Sequence, residues 1–248
     1  MSIFNKLRQN AIQSTKTRKY IVYALGEITI IVIGIFIALS VNNWNDSRLK
    51  KIKEREYLVE IQNNLINDQI SIQESLEFNA TKTEAIFNSL QLFSKVEDVE
   101  SFMQKFIPQM PKLASFSVFN PIRVAFENML SAEKIDLIHN TELRKLLTEY
   151  YSSNIIDFGT QERVKEITRK FIDEISPLIV NWEQIHQLAG VRLQIKSVKA
   201  IDFYKNELII SRLFIMNKNI EAQNMELDYS NVQIEKIIQY IDVELSKK

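Results

Sequence analysis

The sequence predicts an all-α protein with one membrane-crossing helix near its N-terminal end. Three observations predict it. The 248 residues include only four glycines and four prolines, too few for the turns that an all-β fold needs every few residues. Apolar side chains recur every three or four positions along most of the chain, and no stretch alternates like a series of strands. The run from Tyr20 to Val41, YIVYALGEITIIVIGIFIALSV, carries a single charged residue, Glu27.

Composition narrows the function before any motif is considered. With 31 basic and 31 acidic residues the net charge is zero, so the basic excess of a phosphate-neutralising nucleic-acid binder is absent. The chain has no cysteine, which excludes disulfides, thiol catalysis and cysteine-ligated metals.

Residues 1–19 form a short basic tail, with Lys6, Arg8, Lys16, Arg18 and Lys19 unopposed by any acid. Residues 20–42 follow as the membrane helix. At about 1.5 Å per residue its apolar run is roughly 33 Å long, matching a hydrocarbon core about 30 Å thick. A cleaved signal peptide would have a shorter apolar centre and a small-residue cleavage site. A buried helix of a soluble protein would carry a polar face, yet between Ile28 and Leu39 only Thr29 is polar. Tyr20 and Tyr23 at one end, and Trp44 with Asn42 and Asn43 at the other, suit the two membrane interfaces.

Lysine and arginine number five on each side of the span, so the charge rule is nearly balanced. The unopposed charge of the tail places the N-terminus in the cytoplasm and the remainder of the chain outside. Glu27, Ile31, Gly34, Ala38 and Val41 share one helical face. Gly34 and Ala38 form a small-xxx-small pair, and Gly26 precedes the carboxylate, so this face is the candidate for pairing with a second helix. Against that stands a plainer possibility: Glu27 lies about one turn inside the boundary and reaches the headgroups.

From residue 43 to 95 the sequence reads as a long juxtamembrane helix or stalk, with Leu58, Ile61, Leu65, Ile72, Leu76, Ile86, Leu90 and Phe93 as its apolar positions. Their spacing leaves heptad phase between Leu65 and Leu76, which argues for packing in a bundle. Residues 96–248 are expected to form that bundle against 43–95. Its elements are a short helix near Val99–Phe106, an irregular connection containing Pro108 and Pro111, and a helix Ile122–Leu130 started by Asn120-Pro121. A helix begun by Asn140-Thr141 follows, then a turn at Asp157–Thr160 centred on Gly159. An apolar series then runs from Val164 to Ala189 across Pro177, either one kinked helix or two with Ser176 as cap. Last come helices over about Ile201–Asn219 and about Leu227–Leu245.

Catalytic patterns are scarce. There is no G-x-S-x-G, no H-E-x-x-H and no glycine-rich phosphate loop. The two histidines each follow an acid by three residues, Asp136/His139 and Glu183/His186, which is half of a di-metal helical-bundle ligand set. His139 directly precedes a helix start, where it would not share a face with Asp136. No metal or other cofactor is expected, and no catalytic residue.

Two segments carry a family resemblance. GEITIIVIGIFIALSVNNWND, Gly26–Asp46, and AFENMLSAEKIDLIHNTELRKLLTEYY, Ala125–Tyr151, resemble a family of uncharacterised bacterial single-span membrane proteins built on a domain of unknown function. Gly26, Glu27, Gly34, Asn42, Asn43 and Trp44 match that pattern together. Ser40 departs from it where a glutamine is usual. Ala132-Glu133 replace a Ser-Gly turn, so this connection is expected to be helical rather than left-handed. The resemblance implies a single-pass protein of the bacterial inner membrane with a helical extramembrane domain, and it favours a role for Glu27 within the span.

The reading that follows is a non-enzymatic helical module. Its partners are the lipid bilayer and either a second copy or another membrane protein. A membrane-anchored sensor for an unassigned small ligand is the alternative, and a di-metal enzyme the third.

Overall fold

The computed structural model describes residues 15–94, 99–152, 158–179 and 206–247. Among them every regular element is helical. The helices are α1 (Thr15–Ser94), α2 (Val99–Phe106), α3 (Met110–Leu113), α4 (Val124–Ser131), α5 (Thr141–Ser152), α6 (Phe158–Ile179) and α7 (Glu207–Ser246), with 3-10 turns at Ile107–Gln109 and Ile135–Leu137. The chain divides into two units, Met1–Glu56 and Tyr57–Lys248.

In the first unit the helix is exposed at every described side chain up to Lys53. It is long and apolar enough to cross a membrane, and none of its apolar window is buried within the chain.

The second unit is built on the Tyr57–Ser94 stretch of α1 together with α5, α6 and α7. Its core has two apolar clusters. One gathers Leu58, Ile61, Leu65 and Ile72 of α1 with residues of α4, α5 and the Leu227–Ile241 half of α7. The other gathers Ala85 and Ile86 with Phe102, Phe106, the inner face of α6 and the Ile209–Ile220 half of α7. α1 and α7 run antiparallel: Gln62 bonds Asp242, Gln69 bonds Asn231 and Asn79 bonds Gln223, so one number rises as the other falls.

The buried positions of α1 correct the expected loss of phase. Leu58, Ile61, Leu65, Asp68, Ile72, Ser75, Asn79, Lys82, Ile86 and Ser89 follow alternating steps of three and four without a break. The heptad is continuous; polar residues occupy four of its inward positions between Leu65 and Ile86, and Leu76 lies off the seam, only partly buried. α7 repeats the pattern from Ile209 to Ile241, with Gln223 and Ser230 at the polar positions. The two C-terminal helices expected from sequence are therefore one. It starts at Glu207, where the Asn206 side chain accepts the Leu208 and Ile209 amides; the expected start at Ile201 lies outside the described residues.

The capping and turn signals match the structure in part. Asn140 does cap α5, accepting from the Glu142 and Leu143 N–H groups. Asn120-Pro121 does not start α4, which begins at Val124 without a side-chain cap. Gly159 lies in the first turn of α6 rather than in a loop. Ser176 caps no second helix: α6 continues through Pro177, and the Ser176 hydroxyl donates to the Ile172 carbonyl at 2.6 Å. Trp182, Ile185 and Ala189 lie outside the described residues.

The connection at Ala132-Glu133 is a left-handed turn after all. Glu133 has φ 55, its N–H donates to Leu130, and the Lys134 N–H donates to Met129, the hydrogen-bond pattern of a Schellman motif. A glutamate holds the place that favours glycine, at a cost of about 1 kcal/mol or more.

Candidate functional site

Two places in the chain have the character of a site. The first is the apolar helix of the first unit. Gly26, Glu27, Gly34 and Ala38 are all helical and exposed, and a Cβ added at Gly26 or Gly34 would meet nothing within 4 Å. The surface at Gly34 is thus open to a close-approaching helix. Thr29 turns its hydroxyl back to the Leu25 carbonyl at 2.7 Å, which leaves that side chain satisfied in an apolar setting. Tyr20, Tyr23 and Trp44 project outward, with 78, 77 and 66% of their surface exposed. Asn43 is also exposed, and Asn42 donates to Asp46 one turn on.

The second place is marked by no motif in the sequence. Residues 115–123 have no regular secondary structure, so their backbone N–H and C=O groups need partners from outside the segment. Side chains of three helices supply them. Lys82 of α1 donates to the Ser115 carbonyl, and its ammonium also donates to the Thr168 hydroxyl of α6 at 2.8 Å. Gln223 of α7 donates to the Ser117 carbonyl, and the Ser117 hydroxyl donates to Ser75 of α1. Gln161 of α6 accepts the Phe119 N–H at 2.7 Å and donates to the Phe119 carbonyl at 3.1 Å, taking the place of a neighbouring strand. Asp68 of α1 accepts the Ile122 N–H at 2.9 Å and the Tyr150 hydroxyl at 3.0 Å.

The polar heptad positions of α1 therefore have a purpose. Asp68, Ser75 and Lys82 hold this irregular segment against the bundle as a strap, and Asn79 fixes the Gln223 amide that completes the grip. At the centre of the strap Phe119 is buried in the core, whereas Val118 and Asn120 face out.

Two of the clamps are ionisable and fully buried. Burial lowers the Lys82 ammonium to about 7, because its hydrogen-bond partners are a carbonyl and a hydroxyl rather than a carboxylate. Burial raises the Asp68 carboxyl to about 6, with the Ile122 N–H and the Tyr150 hydroxyl pulling the other way. Tyr150 is pushed well up by burial and then by the Asp68 charge, so it stays a donor. Tyr151 stacks on Phe126 at 4.6 Å between ring centroids, and its buried hydroxyl has no hydrogen-bond partner.

Of the histidine pattern, only the Asp136/His139 half lies among the described residues, and its two side chains do not converge. His139 is exposed at the turn before α5, with Nδ1 2.8 Å from the Leu137 carbonyl, while Asp136 pairs with Arg144 at 2.7 Å. His186 and Glu183 lie outside the described residues. Among the described residues no three potential ligands converge as a metal site would require. The shallow cleft lined by Thr160, Gln161, Gln223, Glu226, Leu227 and Ser230 has no room for a water molecule.

No curated protein and no solved structure is detectably similar to this chain. A family profile does match, over residues 27–176, beginning at the carboxylate of the apolar helix and ending near the end of α6. The matched stretch takes in every α1 residue that grips the strap, the strap itself, and α4 to α6. The chain belongs to the family of unknown function DUF6090.

Proposed function

We propose that this protein is a non-enzymatic, single-pass protein of the bacterial inner membrane, with its N-terminus in the cytoplasm and its helical domain in the periplasm, and that it pairs with a second copy through the span. One observation carries the reading: the helix from Tyr20 to Val41 is exposed throughout, with Glu27, Gly34 and Ala38 on one face. In water such a surface would aggregate, whereas lipid accommodates its apolar side chains. A carboxylate near the middle of a span costs roughly 3 kcal/mol against lipid, and less nearer the end. A second helix approaching over Gly34 and Ala38 gives Glu27 a polar partner and a reason to be there.

Cross-linking in native membranes, followed by size analysis in mild detergent, tests the pairing. The expected result is a dimer or higher species that Gly34→Leu shifts to monomer, while Ile33→Leu on another face leaves it intact. A protein that is monomeric in the membrane, or an association unchanged by Gly34→Leu, overturns it. Reporter fusions at Lys248 test the orientation, and activity of a cytoplasm-only reporter there contradicts it.

A further inference from the structure

We propose that residues 115–122 are a releasable strap, held at its ends by Lys82 on the Ser115 carbonyl and Asp68 on the Ile122 N–H, and that its release depends on proton concentration. Three features of the segment support release as a local event. It lies outside every helix, so opening it breaks no helical ladder. Its outer side is already in water, with Val118 and Asn120 exposed. Its attachment to the apolar clusters rests on two aromatic side chains, Phe119, buried and flanked by the paired hydrogen bonds of Gln161, and Phe116, only partly buried.

The chemistry of the clamps sets the direction. Release admits water to two groups that burial keeps from their preferred charged forms. Lys82 is bonded to the Ser115 carbonyl and the Thr168 hydroxyl, both neutral, so a positive charge there is uncompensated. Asp68 faces the Tyr150 and Tyr151 hydroxyl groups of α5, and of the charged side chains near it Arg123, at the strap's own end, acts on the same tyrosines. Both clamps are charged between about pH 6 and about pH 7. Opening is therefore easiest in that window and harder on either side, as Asp68 gains a proton below it or Lys82 loses one above it.

Hydrogen exchange on the full-length protein in detergent micelles, corrected for the intrinsic pH dependence of the amides, tests this. Fragments covering 115–122 are expected to exchange faster than those covering Leu58–Ile72 or Leu227–Ile241. Their opening constant is expected to fall about 50-fold between pH 7 and pH 9 as Lys82 loses its charge. In Lys82→Met that fall is expected to vanish; in Asp68→Asn, which keeps an acceptor for Ile122, the alkaline fall is expected to persist while the acid-side change is lost. Exchange of the strap in step with the helical core overturns local release. A pH profile unchanged in Lys82→Met overturns the role of the clamps.

Discussion

Replacing Lys82 by methionine is expected to stabilise the domain at neutral pH and destabilise it in alkali. The side chain is completely buried, and its ammonium falls from an ordinary 10.5 to about 7. Between those values the unfolded chain binds the lysine proton and the folded chain does not, so stability rises with pH across the window. Below pH 7 the folded state carries the full cost of the buried charge, about 5 kcal/mol at 1.36 kcal/mol per unit. Methionine has nearly the same length and no charge, so it removes that cost. It also leaves the Ser115 carbonyl without its donor, a loss of about 1–3 kcal/mol for a buried acceptor. The net expectation is a gain of about 2–4 kcal/mol just below pH 7, no difference near pH 9, and a loss of about 1–3 kcal/mol above pH 10.5. Urea unfolding of the full-length protein in detergent, followed by circular dichroism across this range, reads the crossing directly. A variant less stable than wild type at pH 7 as well as in alkali would refute the reasoning, because it would mean that the buried ammonium stabilises the fold as a charge.

Asp68 has the opposite sign: raised from 3.8 to about 6, it lets the folded state hold a proton that the unfolded state has lost, so stability falls as pH rises from 3.8 to 6. Asp68→Asn should flatten that limb of the urea midpoint against pH, and an unchanged limb would assign it to other carboxylates. Tyr150→Phe removes a donor from buried Asp68 and should cost about 1–3 kcal/mol, whereas Tyr151→Phe deletes an unpartnered hydroxyl and should be neutral or stabilising by about 1 kcal/mol; equal losses would contradict the assignment of the Asp68 bond to Tyr150. Glu133→Gly relieves the left-handed residue after α4 and should raise the urea midpoint by an amount equivalent to about 1 kcal/mol, while a lower midpoint would mean that Glu133 holds its turn by side-chain contacts.

The α-helical class and the long apolar helix were legible because both are written in periodicity and length, which need no tertiary knowledge. The caps at Asn140 and the short helix Val99–Phe106 were legible for the same reason. The strap was hidden. Its partners Asp68, Ser75, Lys82, Gln161 and Gln223 are polar residues of a type that usually covers solvated helix faces, and their inward direction is fixed by a segment far away in the chain. One signal was available: Asp68, Ser75, Asn79 and Lys82 fall in heptad phase with Leu58, Ile61, Leu65 and Ile72, so extending the apolar phase through the polar residues marks them as buried. Glu133 misled because local propensity disfavours a left-handed glutamate, and the hydrogen bonds from Glu133 and Lys134 to the end of α4 override it.

Placement of the Tyr20–Val41 helix in lipid underlies the proposed pairing, the orientation and the role of Glu27. Fractionation of cells expressing the full-length chain, with an alkaline carbonate wash of the pelleted membranes, tests it most directly. The protein should stay with the membranes through the wash and leave them only in detergent; recovery in the detergent-free supernatant would contradict the account at its base.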